Sequence, residues 1–371
     1  MGLLDKVQPH KVRADILDYK LLIAGKEKAG KSSLAYNIIK EKFDGDLSKG
    51  LLLGFERGYL ALDGVHAIDI GSWKELLAVK KELIETRDKN GYKVLIFDTV
   101  DLLEAYVTDY IIKREKIADS KNYKTIGDIP WGGGYAMIGD EVQKVLNELD
   151  QAGYSLWFIT HSKDKTFTSK SGFEYDQTVV SLGNKIGAVI KNMVDFINFI
   201  DIDKEKDENG ELVDVRKIYF RGSADVEAGS RFREVPDYIL YDTKEYIKTI
   251  EDAIRAEYSS DKALEKAREE QSKLKAEKNN EAPEFTDEEE FDDVQEEATL
   301  SEQFVAVQNN LTEVGKKLPK NESDPKYNEG DMTVKDFGNI LQDTFGTKNY
   351  KKIDVTEDNL KKLKDVLKSL Q

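Results

Sequence analysis

The chain has 371 residues, a formal net charge of −16, three histidines and no cysteine. Without cysteine it can form neither disulfides nor thiolate-bound zinc or iron–sulfur sites, and the wide separation of His10, His66 and His161 argues against a histidine metal site. No apolar run reaches membrane-spanning length and no signal-peptide pattern opens the chain, so we expect a soluble, cytoplasmic protein with no membrane partner.

The first predicted unit is a strand, a glycine loop and a helix. Tyr19–Ala24 is an apolar run of strand length, and Ser32–Phe43 carries apolar residues at helical spacing. Between them the letters GKEKAGKSS fit the phosphate-loop pattern, in which glycines let the backbone wrap round phosphates at a helix N-terminus. The predicted nucleotide-binding residues are Gly25, Lys26, Glu27, Lys28, Ala29, Gly30, Lys31, Ser32 and Ser33. The alternative is a lysine-rich surface turn.

Alternating strand and helix patterns over roughly the first 245 residues predict an α/β fold with a parallel sheet covered by helices on both faces. The later predicted elements are strands at Gly50–Glu56, Tyr92–Asp98 and Tyr154–His161, helices at Trp73–Arg87 and Glu141–Ala152, and a hairpin of Asp195–Asp203 with Val213–Arg221. Each of the three strands ends in a polar residue. Ligands of open α/β sheets bind at the carboxyl ends of the strands, so these polar ends should converge on the glycine loop.

The polar strand ends indicate nucleotide hydrolysis. Lys31 would reach the outer phosphates of ATP, while Ser32 and Asp98 would hold Mg²⁺. No glutamate directly follows Asp98, so Glu56 is the predicted general base; the alternative is a salt-bridge partner of Arg57. His161 is the predicted polar sensor near the outermost phosphate, or else a surface histidine after a strand.

These motifs together carry a family resemblance over about residues 15–245. The glycine loop, LLLGFERGYLAL, LIFDTVDLL and a strand ending in ITH resemble the RecA-type ATPase core, and within it the phage-encoded, RecA-like single-strand annealing proteins and related phage nucleotide-binding proteins. The resemblance implies a RecA-like P-loop fold, with Lys31, Ser32 and Asp98 as nucleotide and Mg²⁺ ligands and Glu56 as the catalytic glutamate. His161 stands where the family carries a polar sensor. The additional domains of the recombinases are missing, which favours annealing over full strand exchange.

Two segments mix lysines with aromatic residues, a composition that suits single-stranded DNA because cations follow phosphates and rings stack on bases. The resemblance places DNA-binding loops at both positions. The second segment is predicted as a hairpin around SKSG, and its DNA-binding candidates are Lys163, Lys165, Phe167, Lys170, Phe173 and Tyr175. The first contributes Lys113, Arg114, Lys116, Lys121, Tyr123, Lys124 and Trp131. The alternative is two solvated loops.

Arg231 and Arg233 lie where RecA-like ATPases supply a cation to the nucleotide of a neighbouring subunit, so they are candidate trans-acting arginines of a homo-oligomer. The alternative for each is a surface arginine paired with Glu227 or Glu234.

A change of composition marks the end of the core, which we place at residues 1–245. Residues 246–300 are predicted to form a charged, solvated helix and then a disordered acidic linker, because residues 281–297 hold ten acids and no base. We leave open whether these acids compete with DNA for the basic loops or only solubilise the chain. Residues 301–371 are predicted to form a small domain of three amphipathic helices, with Thr356 capping the last.

The sequence therefore predicts a Mg²⁺-dependent, DNA-stimulated ATPase that binds single-stranded DNA and acts in phage recombination by strand annealing. Its expected partners are single-stranded DNA, further copies of itself and a single-strand-binding protein. Two alternatives stay open. One is a P-loop kinase of small molecules or nucleotides, and the other is a DNA-binding scaffold whose nucleotide site is regulatory.

Overall fold

The computed structural model describes residues 11–118, 122–278, 307–308, 311, 316, 318–320, 332–354 and 356–369. The strands are β1 Leu21–Gly25, β2 Gly50–Gly54, β3 Ala67–Asp69, β4 Val94–Asp98, β5 Ser155–Thr168, β6 Glu174–Val180, β7 Phe196–Lys206, β8 Leu212–Tyr219, β9 Gly229–Ser230 and β10 Tyr238–Leu240. The helices are α1 Lys31–Lys42, α2 Trp73–Glu85, α3 Leu103–Ala118, α4 Gly133–Gln151, α5 Asn184–Met193, α6 Thr243–Ala256, α7 Asp261–Lys278, α8 Val334–Phe345 and α9 Glu357–Ser369.

One sheet organises the larger unit, Met1–Phe285. Its strand order is β10-β8-β7-β1-β5-β4-β2-β3, and the strands from β7 to β3 run parallel. At one end of the sheet β8 pairs antiparallel with β7, and the edge strand β10 pairs antiparallel with β8, which leaves a mixed rather than wholly parallel sheet. Strand β5 lies between β1 and β4. Strand β1, which leads into the glycine loop, therefore pairs with β5 and β7 and not with β2, the next strand in the sequence. The predicted α/β fold with a RecA-like core is confirmed.

Both faces of the central strands are buried, and successive residues of each strand serve opposite faces. Leu22 and Leu51 pack with helices α2 to α5 in one apolar cluster, whereas Leu21 and Leu52 pack with α1, α6 and α7 in the other. The near-continuous apolar strands of the sequence are explained by this double burial, because no position of β1 or β4 faces water. The central strands are therefore rigid supports for whatever follows their carboxyl ends.

The predicted charged, solvated helix after residue 245 needs correction. The segment forms two helices, and Tyr246, Ile250 and Ile254 of α6 are almost completely buried in the second apolar cluster. Leu264 and Ala267 of α7 are buried in the same cluster. A narrow apolar stripe is enough to dock a helix when its other faces are charged, so dense charge alone is a poor sign of a solvated helix. The compact unit accordingly extends past the predicted boundary at 245.

The smaller unit, Thr286–Gln371, has an apolar cluster of its own that includes Phe337, Leu341 and Leu363. Thr356 caps α9 as predicted, because its Oγ1 accepts a hydrogen bond from the amide of Asn359 at 3.2 Å. Most of the first predicted helix of this unit and the whole acidic stretch 281–297 lie outside the described residues. No helix of the described part is long and apolar enough to span a membrane.

The docking of α6 yields a stability prediction. The Tyr246 hydroxyl donates to Oδ1 of the fully buried Asn198 at 2.9 Å, so Tyr246→Phe leaves a buried amide oxygen without its donor. We expect a loss of about 1–3 kcal/mol in the free energy of unfolding. Urea unfolding followed by tryptophan fluorescence measures it, since the core residues Trp73 and Trp157 are buried. Tyr238→Phe, at an exposed position of β10, is the control and should change stability by less than about 0.5 kcal/mol.

Candidate active site

The glycine loop joins β1 to α1 at the carboxyl edge of the sheet, as the sequence predicts. At Gly25 a Cβ would lie 2.5 Å from the carbonyl oxygen of Ile200 on the neighbouring strand. Gly30 has a φ of +103°, and a Cβ there would lie 2.9 Å from the Tyr241 hydroxyl oxygen. Both glycines are therefore required, the first for close approach and the second also for its left-handed backbone. The loop ends at the N-terminus of α1, where free amide groups favour an anion.

The Lys31 side chain is only 6% exposed. Its ammonium donates to the carbonyl oxygens of Gly25 and Lys26, both at 2.9 Å, and so lies inside the curve of the loop. Burial lowers the pKa of Lys31, while the carboxylates of Asp98, Asp101 and Glu56 act in the opposite direction. A cation held in this way is in place to meet the phosphates that the loop surrounds.

Ser32 and Asp98 lie side by side. The Ser32 Oγ donates to Oδ2 of Asp98 at 2.6 Å, which brings together two hard oxygen ligands from α1 and the end of β4. Burial raises the pKa of Asp98, and the Ser32 hydrogen bond and the Lys31 charge offset part of the rise. Among the described residues no group of three or more His, Cys, Asp or Glu could hold a metal. The hydroxyl and carboxylate oxygens of Ser32 and Asp98 fit Mg²⁺, because this ion is commonly held by one or two protein oxygens together with phosphates and waters.

Glu56, two residues after the end of β2, lies close to His161, which is part of β5. His161 Nε2 lies 3.5 Å from Oε2 of Glu56, and His161 Nδ1 lies 3.4 Å from the Lys31 ammonium. An ammonium can only donate, so Nδ1 accepts in the contact with Lys31, and Nε2 faces the Glu56 carboxylate. Arg57 pairs with Asp69 instead, at 3.3 Å, which removes the alternative of a Glu56–Arg57 salt bridge. Three predicted residues from separate parts of the chain thus form one row.

Asp101 was not among the predicted site residues, but it contacts the strand that carries His161. One of its carboxylate oxygens accepts from the backbone amide of His161 at 3.1 Å, and the other accepts from the Ser181 hydroxyl. The Ser181 amide in turn donates to the carbonyl of His161 at 2.9 Å. Asp101 therefore connects the end of β4 to both strands of the hairpin that follows His161. Its position three residues after Asp98 was a signal, but only the fold shows what it touches.

The predicted hairpin around SKSG is present as β5 and β6, and it has two different faces. Lys165, Phe167 and Tyr175 lie on one face: Phe167 and Tyr175 are paired across the strands with ring centroids 5.9 Å apart, and the Lys165 ammonium lies 4.9 Å from the Phe167 centroid. By strand alternation Lys163 shares this face, where it donates to the Ser181 carbonyl at 3.2 Å.

Lys170 lies in the exposed turn of the hairpin, and Phe173, three residues later, is 75% exposed. The opposite face is acidic, with Asp164, Glu174 and Asp176.

The first lysine-rich segment differs from its prediction. Tyr123 is buried in the core, Arg114 pairs with Glu115 and Glu141, and Lys113 pairs with Asp109. Tyr123 therefore cannot stack on a base, and Arg114 is committed to neighbouring acids. Trp131 is fully exposed. The prediction is wrong for Arg114, which lies on α3 and contacts Glu141 of α4, and for Tyr123, which is buried. DNA binding by Lys113, Lys116, Lys124 and Trp131 stays a prediction, and Lys121 lies outside the described residues.

The two candidate trans-acting arginines follow β9. Arg231 pairs with Asp195 at 3.5 Å and donates to the Asn192 carbonyl at 2.9 Å, not to Glu227, which pairs with Lys191. Because Ser230 is in register with Phe196 at the amino end of β7, Arg231 lies at the edge of the sheet opposite its own glycine loop. Arg233 is exposed. Neither arginine touches the nucleotide site of its own chain, and a role in a neighbour's site stays a prediction.

A phosphate loop on the central strand, a serine–aspartate pair beside it and a glutamate–histidine pair beyond it define a RecA-like P-loop ATPase. The chain belongs to the AAA domain family (AAA_24), whose model matches residues 17–232. It is 28% identical over 165 residues to the SPbeta prophage-derived uncharacterized protein YorG of Bacillus subtilis (strain 168), covering 40% of this chain and 46% of that protein. The chain thus spans about half the length of this curated relative.

Among solved structures, the chain is similar to the KaiC-like protein PH0186 of Pyrococcus horikoshii OT3. The match has 12% sequence identity and a TM-score of 0.33, and it covers 61% of this chain and 90% of that one.

The geometry separates nucleotide binding from turnover. We expect Lys31→Ala to abolish ATP binding, because it removes the cation inside the loop, and Glu56→Gln to keep ATP binding but lower turnover by about 100-fold or more, because it removes the base. Calorimetry with ATP and a phosphate-release assay measure the two effects. Hydrolysis by Glu56→Gln at the unmodified rate would remove Glu56 from the catalytic role.

The buried Asp98 carboxylate is expected to lower the stability of the folded protein while being needed for Mg²⁺-dependent hydrolysis. Its pKa is raised in the folded chain, so the ionised form costs stability above that pKa, and the cost disappears as the pH falls below the ordinary value for aspartate. Asp98→Asn removes the charge and keeps an oxygen that can accept from Ser32. We expect Tm at neutral pH and without nucleotide to rise by a few degrees, the gain to shrink towards pH 4, and Mg²⁺-dependent hydrolysis to be lost. A lower Tm at neutral pH would show that Asp98 is needed as a charge to balance Lys31.

Proposed function

We propose that this protein is a Mg²⁺-dependent ATPase that binds single-stranded DNA and promotes strand annealing in phage recombination, in the cytoplasm of a bacterial host. The observation that carries the proposal is the course of β5. The strand places His161 beside Lys31 and Glu56, then continues without interruption into the hairpin with the basic and aromatic face. The similarity to a prophage-derived protein supports the phage setting.

Hydrolysis would follow from the row of residues at the glycine loop. Lys31 and the amides at the start of α1 hold the outer phosphates, and Ser32 with Asp98 would hold Mg²⁺, which neutralises phosphate charge when bound. Glu56 accepts the proton of the attacking water. His161 Nε2, which lies 3.5 Å from the Glu56 carboxylate, can orient that carboxylate or interact with the outermost phosphate.

The hairpin face suits a single strand of DNA. Lys163, Lys165 and Lys170 supply charges that follow a phosphate backbone, and Phe167, Phe173 and Tyr175 supply rings on which bases of any sequence can stack. The Phe167–Tyr175 pair and the Lys165 ammonium are already arranged as one surface, so little side-chain entropy is lost on binding. A kinase would need an acceptor pocket beside the outermost phosphate, and this face offers an open, extended surface instead.

Asp101 gives the two sites a physical connection. Its carboxylate bonds to the His161 amide on β5 and to the Ser181 hydroxyl at the end of β6, so any tilt of the hairpin base displaces the backbone of His161. A strand bound on the hairpin can thereby alter how His161 faces Glu56 and the phosphates. This connection supports stimulation of hydrolysis by DNA.

Assembly into a homo-oligomer would align many hairpins along one strand. Arg231 and Arg233, at the edge of the sheet opposite the glycine loop, are then available to a neighbouring copy's nucleotide. A single-strand-binding protein is the expected partner that delivers the DNA.

Charge and ring substitutions test the hairpin separately. Reversing Lys163, Lys165 and Lys170 to Glu should weaken binding to oligo(dT) and lower the slope of log affinity against log salt by roughly 0.7 for each lost phosphate contact. Replacing Phe167 and Tyr175 with Ala should weaken binding about tenfold or more with little change of slope. Fluorescence anisotropy at several salt concentrations measures both, and both variants should lose the stimulation of ATP hydrolysis by DNA.

The acidic face supplies the matched control. Glu174→Gln and Asp176→Asn alter the same hairpin without touching the basic face, so affinity for oligo(dT) should stay equal or rise. Unchanged binding isotherms for both the lysine and the ring variants would remove this hairpin from the DNA site. Annealing of complementary strands, followed by a quenched fluorophore pair, then decides whether bound DNA is also paired.

A further inference from the structure

Arg216 is an exposed arginine of β8 in a chain rich in acids. Within the residues that the structure describes, its guanidinium has no carboxylate partner, and the contact it makes is with the ring of Tyr241, at 5.2 Å from the centroid. The Tyr241 amide also donates to the Arg216 carbonyl at 2.9 Å, which ties the two residues together through the backbone.

Tyr241 in turn contacts the glycine loop. Its hydroxyl donates to the carbonyl oxygen of Gly30 at 2.8 Å, and its ring atoms lie just over 3 Å from the place that a Cβ of Gly30 would occupy. The ring is thus fixed against the last residue before α1. The Arg216 guanidinium lies over this fixed ring, and its side chain is exposed to solvent.

The function of Tyr241 and Arg216 follows from their position relative to the proposed catalytic residues. Glu56, Asp98 and His161 follow or lie on β2, β4 and β5, to one side of β1. Arg216 lies on β8, to the other side of β1, in register with Ile202, which is two residues past the position in register with Gly25. A nucleoside triphosphate is an extended molecule with the base at one end and the outermost phosphate at the other. With its outermost phosphate at Lys31 and Glu56, the nucleoside end must leave the loop on the opposite side, where Tyr241 and Arg216 lie.

We propose that Tyr241 and Arg216 form the nucleoside-binding surface of this ATPase, with the exposed guanidinium stacked on the base. Tyr241 orients the arginine and couples the surface to Gly30. The inference rests on the nucleotide-binding part of the proposed function and is independent of DNA.

The test compares ligands with and without a base. Arg216→Ala should weaken ATP binding about tenfold, the size expected for loss of a stacked cation, and should change the affinity for inorganic tripolyphosphate less than twofold. Isothermal titration calorimetry in Mg²⁺ measures ATP directly and tripolyphosphate by competition with ATP. Arg216→Lys keeps the charge but loses the planar group, so it should behave like the alanine variant.

Lys206→Ala is the matched control, because it removes one positive charge from the far end of the same hairpin, opposite Leu212. Equal losses for ATP and tripolyphosphate, or full affinity in Arg216→Lys, would show that the guanidinium acts as a charge on the phosphates and would overturn the proposal. Unchanged ATP affinity in Arg216→Ala would overturn it as well. Since no DNA enters the assay, the result stands whether or not the hairpin binds single strands.

Discussion

A buried ammonium is the constraint on which the site depends. Lys31 cannot reach bulk water, so its charge must be satisfied by the carbonyl oxygens of Gly25 and Lys26 and by more distant carboxylates. The close turn of the loop, the glycine at its entry and the left-handed glycine at its exit are all needed to bring those carbonyls into place. The same burial raises the pKa of Asp98, so the cation and the carboxylate are each costly alone and tolerable together. An arriving triphosphate with its metal would satisfy both.

The insertion of β5 between β1 and β4 gives the sheet its second property. The strand that touches the glycine loop's own strand also carries His161, and it is long enough to leave the sheet and build half of the hairpin. Asp101 fixes the point at which the strand leaves the sheet. The residues beside the glycine loop and the hairpin therefore share one continuous strand, β5.

Much of this site could be predicted because its signals are local. The glycine spacing, the apolar strands ending in Glu56, Asp98 and His161, and the hairpin turn each depend on short segments, and parallel strands bring their ends together without further information. Contacts between segments that are distant in the sequence could not be predicted from local patterns. Tyr241 follows Gly30 by more than 200 positions and carries no motif, and Asp101 has meaning only once Ser181 returns beside it. For α6 the charged neighbours hide a narrow buried stripe, and Tyr123 is a single buried ring in a loop whose neighbours in the sequence include charged residues.

The segregation of charge along the chain makes the acidic composition compatible with the proposed binding of DNA. Ten of the acids lie in residues 281–297, so the remainder of the chain carries about −6, and a net charge of this size does not decide where an anion binds. On the hairpin, strand alternation sends Lys163, Lys165 and the rings to one face and Asp164, Glu174 and Asp176 to the other, although the residues are interleaved in sequence. The acidic face repels phosphates from the wrong side. A strand of DNA attracted to this hairpin would then meet the face next to Lys163, and that face is joined through Ser181 and Asp101 to the strand that carries His161.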